Sequence, residues 1–352
     1  MRTRPTAVVL AGAAVAAALA ACGGDGATDD MTELTLLTHD SFAIPDEVLE
    51  AFTRETGVTV TLTAGGDAGS VLTQAILTKD NPIADVMFGV DNTFLSRALD
   101  EDIFVAYRSP ALDTVPADLQ LDPQHRVTPI DFGDVCLNYD VEAFGADLAA
   151  PATLEDLTDP AYRGLLVVES PATSSPGLAF LLATIARFPE GSDYPWQAYW
   201  EDLAANDVLV TSGWEEAYNA EFSGGAGEGS RPLVVSYASS PPAEVIFAEP
   251  RPETAPTAVI TDGCFRQVEF AGILEGSDRG SAAEALVDFM LTETFQSEVA
   301  LNMFVFPANA DVALPPEFVE FTIVPTTPLT IDPREIGNRR DAWIGEWIEI
   351  MQ

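Results

Sequence analysis

"PIDFGDVCLNYD", residues 129 to 140, decides how the chain is divided. It reads as a strand that leaves a loop-rich stretch, 107 to 129, and enters a second series of strands and helices after one such series has been completed. A strand at that junction is a crossing from one α/β lobe to another. "FRQVEFAGIL", 265 to 274, reads as a strand returning toward the first lobe, followed by helices over 281 to 301 and a closing segment ending in "RRDAWIGEWIEI". Two crossings, near 131 to 136 and 264 to 270, would therefore join two lobes. The length of 352 residues agrees, because single cores seldom grow past about 250 to 300 residues.

On the N-terminal side of the first crossing the pattern alternates. "ELTLLTH" (33–39) reads as a buried strand and "PDEVLEAFTRETG" (45–57) as a helix with Val48, Leu49 and Phe52 on one face and Gly57 as its stop. "VTVTL" (58–62) is a second strand, and "SVLTQAIL", "ADVMFGV" and "NTFLSRALDE" supply helix, strand and helix. Beyond the crossing, "LLVVES", a helix from Pro176, "VLVTSG", a helix from Trp214, "LVVSYASS" and a helix near Ala243 repeat the alternation. Such a βαβ series implies a parallel sheet covered on both faces. "SGGAGEGS", 223 to 230, reads as an exposed loop.

The first thirty residues carry another message. Arg2 and Arg4, the apolar run "AVVLAGAAVAAALA" and the small residues before Cys22 describe an export signal, too short and alanine-rich for a permanent span. "LAAC" resembles a lipobox, which implies removal of residues 1–21, diacylation of Cys22 and a polar tether to about residue 32. In an exported chain the remaining pair, Cys136 and Cys264, most economically forms a disulfide; a free reactive thiol is the alternative. One cysteine lies on each crossing, so a bridge would staple the hinge and leave the lobes free to close. With His39 and His125 the only imidazoles and no CxxC pair, neither a metal nor a cofactor is expected.

Sixteen basic residues face 56 acidic ones, a formal net charge of −40, and Lys79 is the only lysine. Such a surface repels nucleic acid and anionic headgroups, keeps the chain soluble and monomeric, and favours cations at long range.

In open α/β sheets, ligands sit outside the carboxyl ends of the strands. The segments there are "THDSFA", "AGGDAGS", "GVDN", "ESPATSSPG", "TSGWEEAY" and "SYASSP". In "TSSPG", Ser175 reads as the N-cap of a helix with Pro176 at its first position, and the free N–H groups there, with the hydroxyls of Thr173 and Ser174, can hold a phosphate or carboxylate as well as simply start a helix. Asp91 in "GVDN" reads as a cap or a ligand contact. Asp67, among the glycines of the second loop, is either a turn residue or a partner for a cationic group. Trp214 and Tyr237 follow strands of the second lobe, and "MFVFP" brings Phe304 from the first. Facing one cleft, they would clamp a planar or cationic group.

"LTLLTHDSF", "ADVMFGVDNTFL", "PATSSPGLAFLL", "TSGWEEAY", "LVVSYASSP" and "RQVEF", in this order, resemble the thiamine-binding receptors of ABC transporters, within the type II periplasmic binding proteins. The likeness runs from about residue 33 to "AWIGEW". It implies an α/β fold of two lobes, residues 33–132 plus 268–352 and residues 133–267, each a mostly parallel sheet flanked by helices, with two crossing strands at the hinge. It implies closure around thiamine or its mono- or diphosphate, delivery to a membrane permease, and no catalysis. Carried over, His39, Asp40 and Ser41 lie near the ligand, Asp67 matches an acidic position, Thr173, Ser174 and Ser175 face phosphate, and Trp214, Tyr218 and Tyr237 supply aromatic and hydroxyl contacts. His39 stands where the family usually has tyrosine and Phe304 where a member has tryptophan, which leaves the phosphorylation state of the ligand open.

Two other readings remain at this level. A thiamine-cleaving enzyme resembling thiaminase I would use Cys136 as nucleophile and Glu269 as base, unless a disulfide removes the thiol. A receptor of the same fold would take a polyamine or ferric ion instead. No GxxxxGK[ST] motif is present, so the energy for transport must come from other subunits.

Overall fold

The computed structural model describes residues 33–352. The expected export signal, the lipidated Cys22 and the tether lie outside the described residues. The described residues form nine strands: β1 (Glu33–Thr38), β2 (Thr59–Ala64), β3 (Val86–Asp91), β4 (Thr128–Asp140), β5 (Leu166–Glu169), β6 (Leu209–Thr211), β7 (Leu233–Tyr237), β8 (Thr257–Ile273) and β9 (Phe306–Pro307). They join in the order β2-β1-β3-β8-β4-β7-β5-β6, with β9 on β4. Strands β1, β2 and β3 are mutually parallel neighbours through β1, as are β5, β6 and β7 through β5. The two long strands between them run antiparallel to each other from Thr128↔Ala271 to Asp140↔Thr257.

Those two strands make the molecule two-lobed. At roughly 3.3 Å per residue, a strand of 13 residues such as β4 reaches about 43 Å, the span of both halves. The early part of β4 and the late part of β8 lie with β3 and β9, while the late part of β4 lies with β7. Between them the ladder slips at Val135/Leu137, beside Cys136, which is disulfide-bonded to Cys264. The expected bridge is thus present on the hinge.

Helices α1 (Asp46–Thr56), α2 (Ala68–Leu77) and α3 (Leu95–Asp100) cover the first lobe, and α4 (Ser175–Arg187), α5 (Trp196–Ala205) and α6 (Pro241–Ile246) the second. Helix α1 buries Val48, Leu49 and Phe52 and ends at Gly57, whose φ of 76° lets its N–H return to the Thr53 carbonyl. Every residue of α4 from Ser175 to Ile185 is buried, which fits its uniformly apolar sequence. Its cap is Ser174 rather than Ser175: Ser174 is extended and its hydroxyl accepts from Gly177 N–H, so Ser175 becomes the first helical residue and its hydroxyl is released.

The chain crosses between the halves a third time. After α7 (Gly280–Met290), α8 (Glu293–Asn302) and α9 (Pro316–Phe321), the segment 322–332 hydrogen-bonds Ala238 through Ile323 and Cys264 through Leu329. The last helix, α10 (Pro333–Met351), then rests on both lobes. Arg340 reaches Ser96 at the head of the first-lobe helix α3, while Arg339 and Trp343 bond Glu190 and Trp347 packs edge-on against Trp200 of α5. Among the described residues no helix is long and apolar enough to cross a membrane.

Candidate functional site

A cavity of about 320 Å³ opens between the lobes at the carboxyl ends of the parallel strands, within the range of small-molecule sites. The second lobe supplies a wall whose side chains fix one another. Trp214 donates from its indole Nε1 to Ser236 Oγ at 2.9 Å, and Ser236 pairs with Ser240 at 2.8 Å. Tyr237 donates its hydroxyl to Gln267 Oε1 at 2.9 Å, and the Gln267 amide donates to the Ser175 hydroxyl freed by the shifted cap. The Tyr237 ring lies so close to β4 that a Cβ on Gly133 would come 2.9 Å from it, which is why glycine stands there. Trp214 begins a helical turn that widens to π-geometry over Glu216–Glu221, and its ring stacks on Tyr218 at 4.9 Å and 18°. Tyr218 donates to Glu244 Oε1 at 2.8 Å, and the other Glu244 oxygen takes the Ala226 N–H at 2.7 Å, pinning the glycine-rich loop over one end of the cavity.

The first lobe contributes His39 and Ser41 after β1, Asp67 at the head of α2, Asn302 at the end of α8, and Met303 and Phe304 after it. His39 fits because Gly89, at φ 106°, has no side chain: a Cβ there would lie 2.5 Å from the imidazole Cδ2. Phe304 meets Phe247 of the opposite lobe edge to face at 5.6 Å, closing the mouth.

Beneath lies a row of carboxyl groups. Glu269 on β8 is the register partner of Asp91 on β3 and of Asp131 on β4, so the three point to one face from adjacent strands. Glu269 reaches the cavity and stands 3.3 Å from His39 Nε2. Burial, reinforced by Glu269, holds the Asp131 carboxyl well above the usual carboxylate range, and it keeps its proton against Glu269. Burial also pushes Asp91 up to about 7, against hydrogen bonds from Thr93 and Ser175. His39 is raised although burial alone would lower it, because Glu269, Asp67 and Asp40 favour its cation. Four carboxylates, Asp67, Glu215, Glu244 and Glu269, line the cavity, and among the described lining residues there is neither lysine nor arginine.

Of the residues expected at the ligand, His39, Ser41, Asp67, Ser175, Trp214, Tyr218, Tyr237 and Phe304 line this cavity. Four are engaged elsewhere. Asp40 is solvent-exposed, with its N–H on the Gly66 carbonyl. Asp91 is wholly buried and caps its own turn by accepting from Thr93 and the Phe94 N–H. The Thr173 hydroxyl laces the β5 loop to the β6 loop by donating to Ser212 O at 2.6 Å, and Ser174 is the cap of α4. Gln267, Ser240, Glu244, Phe247, Asn302 and Glu269 also line the cavity. The sequence carries a signal for two of them: "RQVEF" sets Gln267 and Glu269 two residues apart, on one face of the strand.

The family described as Bacterial extracellular solute-binding protein matches residues 81–321. The chain is 32% identical over 320 residues to a thiamine-binding periplasmic protein of Escherichia coli, covering 89% of this chain and 92% of that one. With the corresponding protein of Salmonella typhimurium the identity is 31%, at the same coverage. A solved periplasmic thiamin binding protein superposes with a TM-score of 0.78 at 28% identity, covering 91% of this chain and 96% of the other.

Proposed function

The chain belongs to the bacterial extracellular solute-binding proteins, and we propose that within that family it is a thiamine receptor. It captures the vitamin between its lobes outside the cytoplasmic membrane and hands it to an ABC permease. The observation that carries this reading is the pairing of aromatic rings with carboxylates in a cavity without lysine or arginine among its described residues. Thiamine is flat and carries a permanent positive charge on its thiazolium ring. A ring face attracts such a cation by roughly 0.5 to 2 kcal/mol, more when water is excluded. The Trp214–Tyr218 stack offers one flat face, Tyr237 and Phe304 others, and the four carboxylates balance the charge.

In this reading the protein works as a monomer, held at the membrane by a lipid on Cys22 after removal of residues 1–21. The lobes are residues 33–132 with 268–352, and 133–267, with α10 shared between them. An enzymatic role through Cys136 is disfavoured because its sulfur is bonded to Cys264. A polyamine is the second reading, favoured by the same carboxylates. A thermal-shift panel of thiamine, spermidine and ferric citrate separates them, since a ligand of the folded state raises its melting temperature. Thiamine is expected to give the largest rise; a larger rise with spermidine overturns the assignment.

A further inference from the structure

The loop at residues 224–230 of the second lobe brings Ala226 to the cavity lining, beside Asn219, Ala243 and Glu244. No large side chain anchors it: the stretch "GGAGEGS" has no apolar residue bigger than alanine. Its backbone leans on the preceding π-turn, with the Glu228 N–H on the Asn219 carbonyl at 3.1 Å and the Gly229 N–H on the Phe222 carbonyl at 2.9 Å. Among the described residues one side chain bonds it from outside. Glu244 of α6, 6% exposed, accepts the Ala226 N–H on Oε2 at 2.7 Å and the Tyr218 hydroxyl on Oε1 at 2.8 Å. Tyr218 in turn stacks on Trp214, so one carboxylate bolts the loop to the ring wall. Gly225 is exposed, with φ of 60°, and a Cβ there would run into that carboxylate. All of these bonds lie within the second lobe, whereas the mouth between the lobes is closed separately, by Phe304 against Phe247.

We propose that residues 224–230 form a lid over the second-lobe end of the cavity, latched by the Glu244 carboxylate, and that this latch sets how fast the ligand enters and leaves. The identity of the ligand rests on the thiamine reading above; the lid does not. A segment with few buried apolar contacts opens at far lower cost than the fold as a whole, and lids of this kind commonly limit release. Breaking one hydrogen bond frees Ala226 while the hinge strands stay as they are, so the lid is a door independent of the parting of the lobes. Both partners of the latch belong to the protein, so it holds the free and the loaded receptor alike. Only Ala226 of the loop lines the cavity, so the lid adds little surface to the bound ligand and hinders entry and exit together. Glu244 is thus a positioning residue, acting on exchange through the loop it holds.

The test is stopped-flow tryptophan fluorescence of the full chain mixed with thiamine, for wild type, Gly225→Ala, Glu244→Ala and Glu244→Gln. Gly225→Ala breaks the latch and keeps every carboxylate; entry and exit are both expected to quicken about tenfold, the worth of one hydrogen bond to a carboxylate, with Kd changed by less than about threefold. Glu244→Ala is expected to quicken entry by a similar factor. Loss of a negative charge would by itself slow the approach of a cation, and damage to the fold lowers the amplitude without speeding entry, so a faster entry rate is a signature of the lid. Glu244→Gln, whose oxygen can accept from Ala226 while its amide donates to Tyr218, is expected to restore the wild-type entry rate. Unchanged entry in both Gly225→Ala and Glu244→Ala, or a faster exit alone, overturns the lid and leaves the receptor reading intact. Absence of thiamine binding by wild type overturns the thiamine reading instead, and the same rates are then read with spermidine.

Discussion

The wall that the second lobe lends to the cleft and the floor laid by the crossing strands are built on opposite terms. On the wall the polar atoms of the rings have neutral or singly charged partners: Trp214 has Ser236, Tyr237 has Gln267, and Tyr218 has Glu244. Such a network is satisfied at any ordinary pH and fixes shape. On the floor, Asp91, Glu269 and Asp131 stand side by side on three adjacent strands, and they coexist because burial makes Asp91 and Asp131 hold their protons. Shape is therefore set by hydrogen bonds and charge by protons, in two layers of one cavity. A receptor for a flat cation needs both, and the fold separates them so that each can be altered alone.

The floor gives the largest expected effect. Asp91 is raised from 3.8 to about 7, so the folded state holds this proton more tightly than the unfolded chain does. Its contribution to stability is whole below about pH 4 and is lost as the pH rises through about 7, a swing of about 3 to 4 kcal/mol. Asp91→Asn removes the titration and keeps a side-chain oxygen for the Phe94 N–H. In urea melts from pH 4 to 8 the variant should match wild type at the acid end, exceed it at pH 8, and show a flatter profile. An unchanged slope would mean that the row ionises without cost, and the contrast with the wall would fail.

On the wall, Trp214→Ala should weaken thiamine about thirtyfold in calorimetry, roughly 2 kcal/mol, by removing a desolvated ring face. The loss should depend little on pH, because the indole N–H of Trp214 is held by the neutral Ser236 hydroxyl. Wild-type affinity in the variant would exclude the ring from recognition. The smallest effect is expected at the back of the same stack. Tyr218→Phe deletes the hydroxyl that Glu244 accepts and leaves that carboxylate with the Ala226 N–H, at about 1 kcal/mol of stability by thermal melting. A change above about 3 kcal/mol would show that the glycine-rich loop depends on the whole network.

The two layers also differ in how far the sequence exposed them. Strand-end aromatics lie next to recognisable βα turns, so Trp214 and Tyr237 could be placed from alternation alone. The acidic row could not, because Asp91, Asp131 and Glu269 belong to strands far apart in the chain and only the register unites them. The helix cap fell one residue early because "TSSP" offers two serines and proline is tolerated at either of the first two helical positions. The second-loop pattern offers Asp67 as a turn residue or a partner for a cationic group, but its bonds to N–H groups 108 and 147 residues away are contacts no local pattern announces. The third crossing, through the proline- and threonine-rich stretch near 322 to 332, has no periodicity to betray it, nor do the contacts of α10 beyond it with Ser96 and with Trp200.

The bond between Cys136 and Cys264 has a topological result. Strands β5, β6 and β7 with α4, α5 and α6 all lie between the two sulfurs, so most of the second lobe is a covalently closed ring of 128 residues' separation, threaded into a chain whose two open arms build the first. Tension applied between Glu33 and Gln352 would pass from arm to arm through the bridge and bypass the ring. Under load the first lobe should unravel while the second stays folded, and reduction of the bridge should lengthen the fully stretched molecule by the contour of the released loop.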